Sequence, residues 1–243
     1  MQLTFEGKTI DQLSIDLIRA YEPKEGYYLG FSGGKDSVVI YDLAMRSGVK
    51  FEAHYSVSPI DPPQIHQFIK DNYPNVVRDF LAKGFWGKPF MNHGLPLRRQ
   101  RWCCGFIKET GGDTFPIKIL GMRRAESNHR KDYNCFMAEN KKHNAWLLPI
   151  VNWSDMDVWQ YIGERGIQTC SLYREGFKRI GCVLCPFAGK NDVALSLLKF
   201  PKIVNLWRLA ADRYITMRNT TPNHTPSIFK TGEEYFNWWI SRK

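Results

Sequence analysis

The run Ser32-Gly33-Gly34-Lys35-Asp36-Ser37 follows directly on the apolar stretch Tyr27-Tyr28-Leu29-Gly30-Phe31 and constrains the fold more than any other segment. Helical periodicity resumes at once through Val38, Val39, Tyr41, Leu43 and Ala44. A strand that ends in two glycines and passes straight into a helix makes a concave nest of backbone N–H groups at the helix N-terminus, which suits a phosphate. Gly33 and Gly34 permit positive φ and close ligand approach, Lys35 adds a point charge, and Ser32 and Ser37 offer hydroxyl donors. The GxxxxGK[ST] pattern is absent, so this is a phosphate loop of another kind.

The surrounding pattern predicts an α/β fold. Residues 10–22 carry apolar positions Ile10, Leu13, Leu17 and Ile18 and read as an amphipathic helix. Strands are expected over 27–31, 50–57, 76–80, 115–120 and 145–151, with helices over 35–47 and after Asp61-Pro62-Pro63, where Asp61 serves as N-cap and Pro62 opens the helix. This alternation implies right-handed crossovers and a mainly parallel twisted sheet with helices on both faces, with ligands at the carboxyl ends of its strands. Residues 81–96, rich in aromatics, glycine and proline, read as a loop over the site. Ser154 with Asp157, and Thr231 with Glu234, form capping pairs for two later helices. The expected organisation is a single domain over 1–243, with 186–243 as a mostly helical appendage.

The 243 residues contain no apolar run of the length that spans a membrane, and residues 1–20 lack a basic segment followed by an apolar one. A cytoplasmic protein with no membrane partner is expected. In a reducing compartment, six cysteines point to metal binding or catalysis rather than a disulfide framework. The net charge of +10 is uneven: Arg98 to Lys131 holds nine basic against three acidic residues, a net +6, and the residues beyond Pro201 add +4. Because the first of these stretches is interleaved with cysteines and glycines, it suggests an anion site extended enough for nucleic acid.

Cys103 and Cys104 are adjacent, while Cys182 and Cys185 form a CxxC turn 77 residues further on. If folding gathers the four thiolates, they suit either a zinc ion or an iron–sulfur cluster. Adjacent cysteines chelate one tetrahedral zinc awkwardly but reach two irons of a cube. Cys135 and Cys170 stand without a motif and read as packing residues. His54, His66, His93, His129, His143 and His224 show no ligand spacing and are assigned to surface or loops. Trp153 and Trp159 are expected core anchors, and Trp238 and Trp239 suit a core or a partner surface.

The loop at 32–37 resembles the PP-loop of the adenine nucleotide alpha hydrolase superfamily. Further motifs follow in order: Arg101-Trp102-Cys103-Cys104 with Lys108, Gly121-Met122-Arg123-Arg124-Ala125-Glu126-Ser127, the segment Pro149 to Ile162, and Gly181 to Cys185. Together they resemble the phosphoadenosine phosphosulfate reductase family over residues 27–187. The resemblance implies that Cys103, Cys104, Cys182 and Cys185 hold a four-iron four-sulfur (4Fe-4S) cluster. One departure stands out: sulfonucleotide reductases attack adenylyl sulfate with a cysteine in a C-terminal ECGLH-like segment, and here no cysteine follows Cys185. The expected function is therefore ATP-dependent adenylylation and sulfur transfer to a nucleic-acid (DNA or RNA) or nucleotide acceptor, served by a sulfur or electron donor protein. In that reading Ser32 to Ser37 bind the nucleotide, Lys35, Arg123 and Arg124 stabilise phosphoryl charge, and Asp36 binds Mg2+ or caps the helix. Glu126 and Ser127 would organise the arginine loop. The alternatives are a sulfonucleotide reductase using Cys135 or Cys170 as an atypical thiol, and a non-enzymatic nucleotide or nucleic-acid sensor.

Overall fold

The computed structural model describes residues 7–80, 84–109, 111–139, 144–222 and 225–241. His143 and His224, both assigned above to surface or loops, lie outside them. The chain divides into two compact units, one of residues 1–56, 67–79 and 111–170, the other of residues 57–66, 80–110 and 171–243. The C-terminal helices share a unit with residues 57–66 and 80–110.

The first unit holds a six-stranded sheet. Its elements are α1 (Ile10–Ala20), β1 (Tyr27–Gly30), α2 (Lys35–Ser47), β2 (Phe51–Ser56), the latter part of α3 (Pro63–Asn72), β3 (Val77–Asp79), β4 (Ile117–Ile119), β5 (Phe136–Glu139), β6 (Asn144–Leu147) and α6 (Asp155–Arg165). The strand order is β3-β2-β1-β4-β6-β5. Every neighbouring pair is parallel except the edge pair β5–β6, in which Phe136 faces Leu147 and Ala138 faces Ala145. The fold class read from the sequence is thus observed, with β5 as an added strand that lacked a distinct apolar run. Tyr27, Leu29, Ile119 and Leu147 are fully buried, and Val39, Ile40 and Leu43 of α2 and Val158 of α6 are buried with them in this unit. Gly48 and Gly166 end α2 and α6 in the left-handed conformation at φ 73° and 63°, where a side chain would be strained.

α1 turns a different face inward from the one expected. Leu13 is exposed, whereas Asp11, Ser14, Ile15 and Ile18 are buried. The reason is polar: Arg46 of α2 reaches Asp11 Oδ2 at 2.7 Å and the Tyr161 hydroxyl of α6 at 3.0 Å, and Tyr161 in turn donates to Asp42. This network ties three helices through groups that would be costly to bury singly. The Ser154–Asp157 capping box forms as expected. Trp153 is buried, but Trp159, an expected core anchor, is exposed, because it lies on the outward face of α6.

The second unit contains α4 (Lys88–His93), α5 (Trp102–Ile107), α7 (Lys190–Lys199), α8 (Pro201–Thr220) and α9 (Gly232–Ser241). Its core is aromatic: Trp207 of α8 lies 4.9 Å from Trp86, 5.9 Å from Phe85 and 5.1 Å from Trp239 of α9 between ring centroids. Phe85, Phe90 and Leu95 are buried in it. The aromatic stretch expected as a loop over the site is therefore core material, and it includes α4; residues 81–83 lie outside the description. Trp239 is buried and donates from Nε1 to Pro96 O at 2.7 Å. Thr231 and Glu234 cap α9 as expected. No helix among the described residues is long and apolar enough to cross a membrane.

α9 begins against the backbone of α8: a Cβ on Gly232 would stand 2.2 Å from Asp212 Cα and 2.4 Å from its N. Gly232→Ala should destabilise by about 1–3 kcal/mol through overpacking, lowering Tm by roughly 3–10 °C. Gly163→Ala, with nothing within 4 Å of the added carbon, should leave Tm unchanged or raise it in the same thermal scan.

Candidate nucleotide site and cysteine cluster

The sheet order places β1 between β2 on one side and β4 on the other, so the chain changes direction across the sheet between β1 and β4. A crevice at the carboxyl ends of such a strand pair is where doubly wound sheets bind ligands. The Ser32 to Ser37 loop leaves β1 there, and Gly121 to Arg123 leave β4.

Within the loop Gly33 takes φ 70°, a conformation glycine adopts without strain. Gly34 is the N-cap of α2 and supplies no side chain to its first-turn amides. Ser37 Oγ donates to Gly34 O at 2.8 Å, and Ser32 Oγ lies 3.3 Å from Ser37 Oγ, so both hydroxyls brace the turn. Gly121 lies close to the start of α2: a Cβ there would stand 3.1 Å from the carbonyl carbon and oxygen of Asp36, a tight approach.

Two cations stand at this turn. Lys35 is buried at 7% exposure and Arg123 at 2%. Arg123 Nε donates to Asp36 Oδ1 at 2.6 Å, Nη2 to Asp155 Oδ1 at 2.7 Å and Nη1 to Trp153 O at 3.3 Å. Lys35 Nζ lies 3.3 Å from both Asp36 Oδ2 and Asp155 Oδ1. Burial acts to raise the Asp155 pKa, but the hydrogen bond from Arg123 and the charges of Lys35 and Arg123 outweigh it and hold this carboxyl below its ordinary range. The structure thus brings Lys35, Asp36 and Arg123 together. Asp36 engages Arg123 and Lys35. Arg124 turns elsewhere, donating to Tyr133 O at 2.6 Å and Asn152 Oδ1 at 2.8 Å, so it pins the segment around residue 133. Asp155 was missed in the sequence, although it follows the capping serine inside the Pro149 to Ile162 motif.

His54 also departs from its expected place at the surface. Its ring lies between Glu52 Oε1 at 2.7 Å and Asp79 Oδ2 at 3.0 Å and stacks on Tyr28 at 4.5 Å. Cross-strand neighbours in β1, β2 and β3 create that environment, and no local spacing announces it.

In the second unit α5 carries Cys103 and Cys104, and the turn from Gly181 to Cys185 carries the other pair. Arg98 Nε donates to Pro186 O at 2.9 Å, Val183 N to Ile60 O at 2.7 Å, and Trp207 Nε1 to Val183 O at 3.2 Å, which fixes the CxxC turn. Leu184 inside that turn has φ 58°, the one positive value at a non-glycine among the described residues, and its side chain is fully buried. Cys103 is buried; Cys104, Cys182 and Cys185 are half-buried. The Cys103 thiol bonds Cys104 and, with the charges of Lys108 and Arg101, lowers the Cys104 pKa against its burial. Burial pushes Cys182 up against the pull of Lys108, and Asp61 adds to the rise. Cys182 foremost, then Asp61, Cys185 and Cys104, act to raise the Lys108 pKa against its burial. Cys103 lies within electrostatic range of Cys104, Cys182 and Cys185. Asp61 joins this group, whereas the sequence suggested an N-cap; α3 starts at Pro63. Among the described residues no set of three or more His, Cys, Asp or Glu side chains is arranged to hold a metal ion. Of the other two cysteines, Cys170 is fully buried and Cys135 is half-exposed.

The basic stretch from Arg98 to Lys131 is divided between the two units. Lys118 is buried and bonded to Gly111 O at 2.8 Å and Asp113 at 3.2 Å; Arg101 pairs with Glu109 at 3.6 Å, and Arg130 with Glu126. Much of its charge is used internally.

Arg123→Ala should cost about 1.5–3 kcal/mol in denaturant unfolding, because Asp36 and Asp155 would lose its charge-assisted hydrogen bonds while Lys35 stays within 3.3 Å of both. Gly121→Ala should leave the fold intact but displace the first turn of α2 and weaken ATP binding in calorimetric titration; an unchanged affinity would detach Gly121 from the site.

Residues 26–188 match the family model described as the phosphoadenosine phosphosulfate reductase domain. An uncharacterized protein of Methanocaldococcus jannaschii is 29% identical over 220 residues, which cover 81% of this chain and 43% of that one. The chain therefore spans less than half the length of that relative. The probable FAD synthase of Schizosaccharomyces pombe is 26% identical over 191 residues, 71% of this chain and 67% of its own. Among solved structures, the phosphoadenylyl-sulfate reductase of Candida auris in its phosphate complex superposes with a TM-score of 0.52 at 18% identity, covering 75% of this chain and 97% of that one, a likeness of fold. With two thirds of its length matched to one family model, the chain belongs to the phosphoadenosine phosphosulfate reductase domain family.

Proposed function

We propose that the chain binds an adenine nucleotide, ATP foremost, at the loop after β1 and cleaves it at the α-phosphate. The supporting observation is the pair of buried cations, Lys35 and Arg123, beside Gly33 and Gly34 at the start of α2. An acceptor oxygen would attack the α-phosphorus. The new oxygen–phosphorus bond forms as the bond to the bridging oxygen breaks, the acceptor gives up its proton, and pyrophosphate leaves with the electron pair. The loop amides and Lys35 take up the charge on the leaving pyrophosphate. Arg123 holds Asp36 and the helix start in place, and Arg124 holds the adjoining segment. Asp36 is the candidate ligand for Mg2+ accompanying the nucleotide. The family and the FAD synthase relative share an adenine nucleotide as their common element.

We assign Cys103, Cys104, Cys182 and Cys185 to a four-iron four-sulfur cluster. What supports this reading is that the adjacent pair on α5 and the CxxC turn, the two motifs on which the family resemblance rests, belong to one unit. Such a cluster, when bound, supplies electron transfer or sulfur handling. A sulfur or electron donor protein is the partner this chemistry requires. The internal use of the Arg98 to Lys131 charge favours a nucleotide-sized acceptor over a DNA or RNA strand. Reduction of adenylyl sulfate is the second reading, favoured by the family match; its attacking thiol would be the half-exposed Cys135, since Cys170 has no access.

Protein purified without oxygen should contain about four irons and lose them in Cys185→Ser; stoichiometric zinc in their place would contradict the cluster assignment. Incubated with ATP and with adenylyl sulfate in parallel, it should release pyrophosphate from the first. Sulfite from the second would establish the reductase reading, and binding of either without turnover would make the chain a sensor.

A further inference from the structure

The nucleotide site contains one charged group that faces solvent. Asp155 has a side chain 68% exposed, whereas those of Lys35, Arg123 and Asp36 are 9%, 2% and 18% exposed. Its single oxygen Oδ1 nevertheless bonds both buried cations, at 3.3 Å to Lys35 and 2.7 Å to Arg123. An exposed carboxylate bonded to two buried cations stands on their solvent side, so an anion arriving from water meets Asp155 first. Asp36 contacts the same two cations from within, at 2.6 and 3.3 Å, and stays with them. With both carboxylates in place the four groups sum to zero charge. With Asp155 displaced, one positive charge is offered to the ligand.

We propose that Asp155 is a specificity residue of this site: a resident anion that an incoming ligand must displace, which admits a polyphosphate end and excludes a single phosphate. This rests on the reading of the Ser32 to Ser37 loop as the phosphate site. The physical basis is competition. A carboxylate carries one charge and is already positioned, because the Ser154–Asp157 capping box fixes the start of α6 and the N-terminal partial charge favours an acid there. A lone phosphate gains little by replacing it. Pyrophosphate brings more charge and more acceptor oxygens, so it satisfies the ammonium and the guanidinium together while its second phosphate reaches the amides of the loop. Asp155 itself is largely exposed, so its carboxylate returns to water when a ligand takes its place.

The test is calorimetric titration of inorganic pyrophosphate and inorganic phosphate into the wild-type chain, Asp155→Asn, Asp155→Glu and Lys35→Ala, with divalent cations chelated. The wild type should prefer pyrophosphate by at least about tenfold, and Asp155→Asn should narrow that ratio several-fold by gaining phosphate affinity. Asp155→Glu, which restores the charge, should restore the ratio. A residue that merely holds Arg123 in place would weaken both ligands alike on substitution, so parallel loss in Asp155→Asn, or an unchanged ratio, overturns the proposal. Equal pyrophosphate affinity in the wild type and Lys35→Ala would instead remove the loop as the site and take the proposal with it. Thermal melts of each variant confirm that the comparison is made between folded proteins.

Discussion

The guanidinium of Arg123 is the constraint on which the site depends. This charged group is almost wholly buried, and that cost is tolerable only if each of its faces finds an acceptor. Asp36, Asp155 and the carbonyl of Trp153 provide them. Those acceptors come from the first turn of α2, the segment entering α6 and the start of α6 itself, while Arg123 follows β4. The glycine at 121 lets this exit lie against Asp36. One charge therefore holds two separate pieces of chain, the starts of α2 and of α6, to the exit of β4, and it does so only because β1 and β4 are neighbours in the sheet.

The cysteine group follows a different logic. Its geometry is set by backbone hydrogen bonds to Val183, by the indole of Trp207 and by a leucine held in a left-handed conformation. Non-glycine residues in that region cost roughly 1–3 kcal/mol, and burial of the Leu184 side chain contributes a comparable stabilisation. The CxxC turn is thus shaped by the packing of its own unit. Lys108 and Asp61 place one positive and one negative charge beside the thiols, so the group is electrostatically tuned from both sides.

Much of this was legible in the sequence because it depends on local signals. The strand, glycine pair and helix around Lys35 form a continuous pattern, and the two members of each capping pair lie three residues apart in the chain. The parallel character of the sheet followed from alternation alone. What escaped depends on contacts between distant segments. Asp155 looks like an ordinary first-turn acid until Arg123 is brought to it, and His54 gains its carboxylate neighbours only when β2 and β3 pair. Leu13 and Trp159 were misplaced because periodicity identifies a helix but not which of two plausible faces a polar network will draw inward. The aromatic stretch before residue 96 was read as a loop from its glycines and prolines, whereas the packing of Phe85 and Phe90 around Trp207 decides its place.

The central claim, that the amides and ammonium at the start of α2 receive the phosphates of an adenine nucleotide, is tested most directly by nuclear magnetic resonance of the 15N-labelled chain titrated with ATP. The amides of Gly33, Gly34, Lys35 and Asp36 should show the largest shifts, saturating together with a single dissociation constant. Saturating shifts elsewhere in the chain, with these four amides unmoved, would contradict it.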